Sequence, residues 1–269
     1  MKKKLRFFLL NHFPQFFSLK LYWTEKLRGE NSSQVEKDGS ETLLIESNIP
    51  VNVVQDGIFE GLNYDVPSIC SARAPKIIGS YEAELTASLL QLMALNPKRV
   101  INIGSAEGYY AVGLAYKYIN LEVIAVDPSI QAEKYLKQLS IQNNVQERVK
   151  FIRYLSFDAL DKLIIKSQTL LLVDCEGSEI GYLNPQRVPN LKYCNILVET
   201  HDFVHPSITQ NLIGRFEKTH TIETISQQNR DHRNFPISAN LTVDIGNKLI
   251  NEKRPSSIKW LLMKSKMDA

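Results

Sequence analysis

Cysteine is scarce here: Cys70, Cys175 and Cys194 stand far apart with no CxxC spacing, so neither a zinc motif nor a disulfide framework is indicated. A chain of this kind suits a reducing compartment, and a cytoplasmic location is expected. No charge of one sign dominates, because 32 Lys and Arg face 29 Asp and Glu for a net charge of +3. So small an excess gives no reason to expect a nucleic-acid partner. Long apolar runs are also missing. Phe7-Phe8-Leu9-Leu10 after Lys2, Lys3 and Lys4 opens like a secretory signal, but Asn11, His12 and Pro14 interrupt it and no small-residue cleavage site follows. The stretch is too short and too polar to span a bilayer. Internal repeats and low-complexity tracts are absent, which sets aside solenoids and fibrous arrays.

What remains is an ordinary globular composition: 269 residues, 43% hydrophobic and 23% charged, enough for one α/β domain with an N-terminal extension. Residues 5–23 are basic and aromatic (Phe13, Phe16, Phe17, Tyr22, Trp23), suited to a peripheral membrane contact or to packing on a subunit or on their own domain. A polar stretch from about Arg28 to Glu41 reads as a linker. Residues 43–78 mix short β-like pieces (Leu43-Leu44-Ile45, Val51 to Val54) with Gly57, Gly61, Pro67 and Pro75. The expected division is an arm and capping region over 1–78 and a main domain over 79–269.

Past Gly79 the pattern becomes regular. Tyr81-Glu82-Ala83-Glu84-Leu85 opens an apolar-periodic helix through Leu89, Leu92 and Leu95, closed by Asn96-Pro97. Strands are expected at 99–103, 121–126, 149–153, 169–173 and 194–199, with helices at 107–118 and 129–143 and a short one before 169. Runs such as Val123-Ile124-Ala125-Val126 and Leu170-Leu171-Leu172-Val173 are the kind buried on both faces of a parallel sheet. The alternation predicts a doubly wound, mostly parallel seven-stranded sheet. Its last two strands, 219–226 and 258–264, would close it as an antiparallel pair, separated by a polar stretch without a strong helix.

In such a sheet ligands sit at the carboxyl ends of the strands. After the first strand comes Gly104-Ser105-Ala106-Glu107-Gly108, a tight turn into a helix. About 20 residues further, Asp127 ends the second strand, where a carboxylate can accept both ribose hydroxyls. Together these describe a nucleoside site. A pyrophosphate-binding G-x-G-x-x-G is missing, and Glu107 at the helix start would repel a pyrophosphate yet suit a cationic amine or sulfonium. That favours S-adenosylmethionine over NAD.

The segment Val100-Ile101-Asn102-Ile103-Gly104-Ser105-Ala106-Glu107-Gly108-Tyr109-Tyr110 resembles the cofactor motif of class I S-adenosylmethionine-dependent methyltransferases, particularly the FkbM-like group. Leu172-Val173-Asp174-Cys175-Glu176-Gly177-Ser178-Glu179 is similar to that group's second motif, and Leu197-Val198-Glu199-Thr200-His201-Asp202 to its following strand. The resemblance covers roughly 79–226. Ser105-Ala106 stands where an Ala-Asn type sequence is more usual, and no Gly-Ala pair follows Asp174. The resemblance implies a Rossmann-like methyltransferase, commonly an O-methyltransferase. It also implies that Gly104, Ser105, Glu107, Gly108 and Asp174 shape the cofactor pocket and that Asp127 holds the ribose. Tyr81 and Glu82 would cover the methionine end, and Ser156 and Phe157, with Asp158, would approach the adenine. Ser156 also reads as a helix cap.

Methyl transfer to a hydroxyl needs orientation and a proton acceptor. Asp174, Glu176, Glu179, Glu199, His201 and Asp202 fall at the ends of two neighbouring strands. His201 is the expected general base, with Asp174 or Glu199 orienting it or the substrate. With His205 the same groups are chemically suited to Mg, Mn or Fe, but the spacing is not diagnostic and no metal is assigned. Arg230, His232, Arg233 and Arg254, before the last strand, read either as a clamp for an anionic acceptor or as surface residues of a solvated loop. The expected substrate is a small-molecule or glycan hydroxyl. An NAD-linked oxidoreductase and a non-catalytic binding or scaffold protein are the competing readings.

Overall fold

A computed structural model describes residues 39–254 and 258–267; the aromatic arm at 5–23 lies outside the described residues. The strands are β1 (Arg99–Ile103), β2 (Glu122–Val126), β3 (Val149–Ile152), β4 (Thr169–Val173), β5 (Asn195–Thr200), β6 (His220–Ser226) and β7 (Lys259–Ser265). They form one sheet in the order β3-β2-β1-β4-β5-β7-β6. Parallel pairing runs from β3 to β5, and β7 lies antiparallel between β5 and β6. The expected mostly parallel seven-stranded sheet and its antiparallel closing pair are therefore present. β4, four apolar residues after Thr169, is buried at every position, as a central parallel strand covered on both faces must be.

Alternate residues of each strand feed two cores. On one face Val100, Val123, Ala125, Leu170, Leu172, Leu197 and Trp260 meet helices α3 (Thr86–Ala94), α4 (Tyr109–Lys117) and α5 (Ile130–Gln142). The opposite face buries Ile101, Ile124, Leu171, Val173, Ile196 and Val198 against α6 (Phe157–Leu163) and α8 (Ile208–Phe216). Between them lies the four-residue α7 (Glu179–Tyr182). Leu44, Val54, Phe59, Leu62, Tyr64 and Val66 belong to the first core, so the capping region packs on the sheet itself. No helix among the described residues is long and apolar enough to cross a membrane.

Three local expectations are corrected. Leu43-Leu44-Ile45 is not a β piece but part of α1 (Gly39–Glu46), with Leu44 buried and Ile45 exposed; among the described residues no strand pairs with it, and Val53 makes only an isolated bridge with Asn63. After α2 (Arg73–Ile78), the helix expected from Tyr81 starts late. Glu82 is held in the left-handed region (φ 49°) and only a short 3-10 turn, Ala83–Leu85, precedes Thr86. The Glu82 N–H donates to Glu252 at 2.7 Å, which fixes that turn from outside the helix. Finally, a helix does lie between the closing strands: α9 (Val243–Leu249), whose Gly246 lets the His232 ring pack on its backbone.

Candidate functional site

The strand register builds the site. Ile103 pairs with Val126 of β2 and Val173 of β4, and Val173 pairs with Val198 of β5. The next residues, Gly104, Asp127, Asp174 and Glu199, therefore stand in a row along the carboxyl edge. At this point the strand order turns back on itself, with β1 leading to β2 on one side and β4 on the other, the position where open α/β sheets bind ligands. A cleft of about 1060 Å³ opens there, large enough for a nucleoside-sized ligand with a second substrate.

Gly104 has φ +83°, and a Cβ there would meet the Asp174 carbonyl oxygen at 1.5 Å. Its glycine is thus required by the approach of two strand ends. Gly108 has φ +101°, with Leu136 and Val112 beside it. Between them, Ala106 donates its N–H to Asp127 Oδ2 at 3.0 Å, while Ser129 N–H donates to Oδ1 at 2.8 Å. The Asp127 carboxylate is thereby fixed at the cleft wall. Burial raises its pKa, and the two backbone donors pull it back. Ser105 and Ser178 also line the cleft, each with a buried hydroxyl that has no hydrogen-bond partner.

Glu107 is wholly buried. Its carboxylate accepts from Tyr64 Oη at 2.5 Å and from the Ile69 N–H at 2.9 Å, and it pairs with Lys76 Nζ. Its charge is neutralised inside the wall, although the residue still borders the cleft. Tyr81 and Glu82 line the cleft, held by Arg254: Nη2 donates to the Tyr81 hydroxyl at 2.6 Å and also meets Glu82. Tyr110 donates to the other Glu82 oxygen. Burial raises the Glu82 pKa against the pull of Arg254. Ser156 caps α6 by accepting from the Ala159 N–H at 3.2 Å, and Phe157 packs on Tyr182 with ring centroids 6.2 Å apart. Neither reaches the cleft; Arg153 and Tyr154, nearer the end of β3, form its wall instead.

The clamp-or-surface alternatives for the arginines are both corrected for two of them. Arg254 is buried in an ion network, donating to Glu199 at 2.8 Å and pairing through Nε with Glu252 at 2.9 Å. Arg230 bridges Glu84 and Glu252, the latter at 2.8 Å. Arg233 is an exposed residue paired with Asp231, and His232 is buried against the Ser238 carbonyl oxygen. The sequence clue to the network was the charge run Glu252-Lys253-Arg254 placed directly before an apolar strand.

At the β4 and β5 ends, His201 is 2% exposed. Its Nδ1 pairs with Glu179 Oε1 at 2.7 Å, and its Nε2 stands 3.5 Å from Asp174 Oδ1, 3.6 Å from Glu176 Oε2 and 3.6 Å from Glu199 Oε1. Burial opposes charge on the imidazole, but the bond to Glu179 and the charges of Glu179, Asp174 and Glu176 override it and push its pKa up to about 10. Glu199 is pushed up to about 7 by burial and by Asp174, against Arg254 and His201. Sequence reading brought these residues together correctly but missed Glu179 as the imidazole's anchor. Asp202 instead caps α8 through Thr209, at 3.0 Å to its N–H and 2.6 Å to its hydroxyl.

Carboxylates dominate the wall: Glu82, Glu107, Asp127, Asp174, Glu176, Glu199 and Glu252 face Lys76, Arg153, Lys253 and Arg254. Such a cleft attracts cations and repels polyanions.

No family model matches the sequence, and no curated protein matches it. Solved structures do resemble it. A precorrin-6y C5,15-methyltransferase from Geobacter metallireducens aligns at a TM-score of 0.50 and 11% identity, over 79% of this chain and 100% of its own. An O-methyltransferase from Bacillus cereus in complex with SAH aligns at 0.44 and 13%, over 86% and 93%. An rRNA methylase from Streptococcus thermophilus aligns at 0.45 and 13%, over 68% and 97%. The alignment to the precorrin methyltransferase, with the strand order, shows a Rossmann-like α/β fold.

Proposed function

We propose that this chain is an S-adenosylmethionine-dependent methyltransferase acting on a hydroxyl oxygen of a sugar, glycolipid or other small metabolite. The observation that carries the reading is Asp127, locked by the Ala106 and Ser129 N–H groups at the edge of the cleft. Its remaining lone pairs suit paired ribose hydroxyls. The residues fit the cofactor in two further ways. The unpartnered hydroxyls of Ser105 and Ser178 offer donors along the same wall, and the excess of carboxylates favours a sulfonium over a pyrophosphate.

When bound, the cofactor would supply an electrophilic methyl group. The protein's task is then to orient the acceptor for in-line attack and to receive its proton. Asp174 has 45% of its side chain exposed, whereas His201 beneath it has 2%. We therefore assign the proton to the accessible Asp174 carboxylate rather than to His201, the general base expected from the sequence, which stands buried 3.5 Å away.

Calorimetric titration of S-adenosylmethionine and S-adenosylhomocysteine into the purified protein tests this. Micromolar binding is expected, weakened about tenfold or more by Asp127→Ala, since hydrogen bonds to a charged group contribute about 1.5–3 kcal/mol each. Absence of binding to the unaltered protein would remove the reading, and binding of NADH in its place would favour a dehydrogenase.

A further inference from the structure

We infer that Asp174, Glu176 and His201 form a binding site for one divalent transition-metal ion. One ligand atom from each lies within 4.8 Å of the others. His201 Nε2 is spaced almost evenly, at 3.5 Å and 3.6 Å, from Asp174 Oδ1 and Glu176 Oε2, with Glu199 Oε1 also at 3.6 Å. These gaps exceed the roughly 2.7–3.2 Å of a hydrogen bond. They match the separation of about 2.8–3.6 Å between neighbouring ligands whose bonds to a shared ion are about 2.0–2.2 Å.

Two independent features point the imidazole at such an ion. Glu179 Oε1 pairs with Nδ1 at 2.7 Å and also accepts the Gly177 N–H at 3.0 Å. That close carboxylate fixes the ring from behind and turns Nε2 toward the cluster, as a second carboxylate does behind metal-bound histidines. Glu199, too, divides its carboxylate. Oε2 accepts from Arg254 at 2.8 Å and Trp260 Nε1 at 3.2 Å, leaving Oε1 turned toward Nε2. A buried nitrogen directed into a group of oxygens, open to the cleft on the Asp174 and Glu176 side, suits Mn²⁺, Fe²⁺ or Zn²⁺ better than Mg²⁺. An ion there would also acidify an acceptor hydroxyl, a role that rests on the methyl-transfer reading; the site itself does not.

The test uses the full-length protein stripped with chelator, without cofactor, and Mn²⁺ as the probe, followed by calorimetry and pulsed electron paramagnetic resonance. One Mn²⁺ per chain is expected, with nitrogen modulation from a single imidazole. The double variant Asp174→Asn/Glu176→Gln, whose changed groups are half-exposed, should bind Mn²⁺ at least about tenfold more weakly. Failure to bind, binding without nitrogen modulation, or affinity unchanged in the variant would each overturn the assignment. A parallel S-adenosylhomocysteine titration of the metal-stripped protein reads the cofactor site separately, so that failure of one reading leaves the other standing.

Discussion

Replacing Gly104 with alanine is the sharpest perturbation available, because one methyl group meets two obstacles. At φ +83° a Cβ is sterically disfavoured, and that Cβ would lie 1.5 Å from the Asp174 carbonyl oxygen. The dihedral alone costs about 1–2 kcal/mol. Separating the ends of β1 and β4, paired through Ile103 and Val173, adds overpacking strain of about 1–3 kcal/mol. Gly104→Ala should therefore lose about 2–5 kcal/mol in urea unfolding at an unchanged slope. Gly214, within α8, is the control, since nothing lies within 4 Å of its would-be Cβ. Gly214→Ala should gain about 0.5–1 kcal/mol from the stiffer unfolded chain and better helix propensity. A loss below about 1 kcal/mol at Gly104, or an equal loss at both sites, would refute the argument that the two strand ends require a glycine here.

The buried network gives a second test. Arg254→Met strands the carboxylates of Glu82, Glu199 and Glu252, which are 4%, 4% and 6% exposed, and should cost about 3–5 kcal/mol of stability; a near-neutral change in thermal unfolding would contradict it. Glu122 lies between Lys150 and Arg99, whose hydrogen bonds hold its carboxyl below the usual range. An acid depressed by folding stabilises above its unfolded pKa and loses that contribution as pH falls through the folded one. Glu122→Gln should thus cost under about 1 kcal/mol near neutrality, and the gap to the unaltered protein should close in acid. A gap that persists at low pH would assign the effect to packing.

The sheet was legible because its strands are short apolar runs separated by turn residues, and burial on both faces leaves such runs no other use. Local periodicity failed where a distant group decides the conformation. Glu82 is left-handed because Glu252, 170 residues away, takes its N–H, and no window around Tyr81 contains that information. The same limit applies to Leu43-Leu44-Ile45, whose strand-like composition finds no pairing strand among the described residues and which forms a helix instead. For the site, strand ends marked Gly104, Asp127, Asp174, Glu199 and His201, since register alone aligns them. Ser156 and Phe157 were displaced because β3 ends at Ile152, so the cleft wall is formed at Arg153 and Tyr154, before the cap of α6. The ion network of Arg254 and Arg230 escaped because its partners are scattered from Glu82 to Glu252 and carry no common spacing.

The insertion of β7 between β5 and β6 has a consequence for synthesis. Until Lys259–Ser265 leaves the ribosome, β6 has no strand to pair with and β5 presents an open edge. Nor can Arg254 yet close Tyr81 and Glu82 against Glu199. A nascent chain halted shortly before Trp260 would carry the cofactor-side strands in place with an unfinished wall and an adhesive edge, the condition in which sheet proteins recruit chaperones or aggregate. Completion of the fold and assembly of the cleft are thus one late event, governed by the final strand.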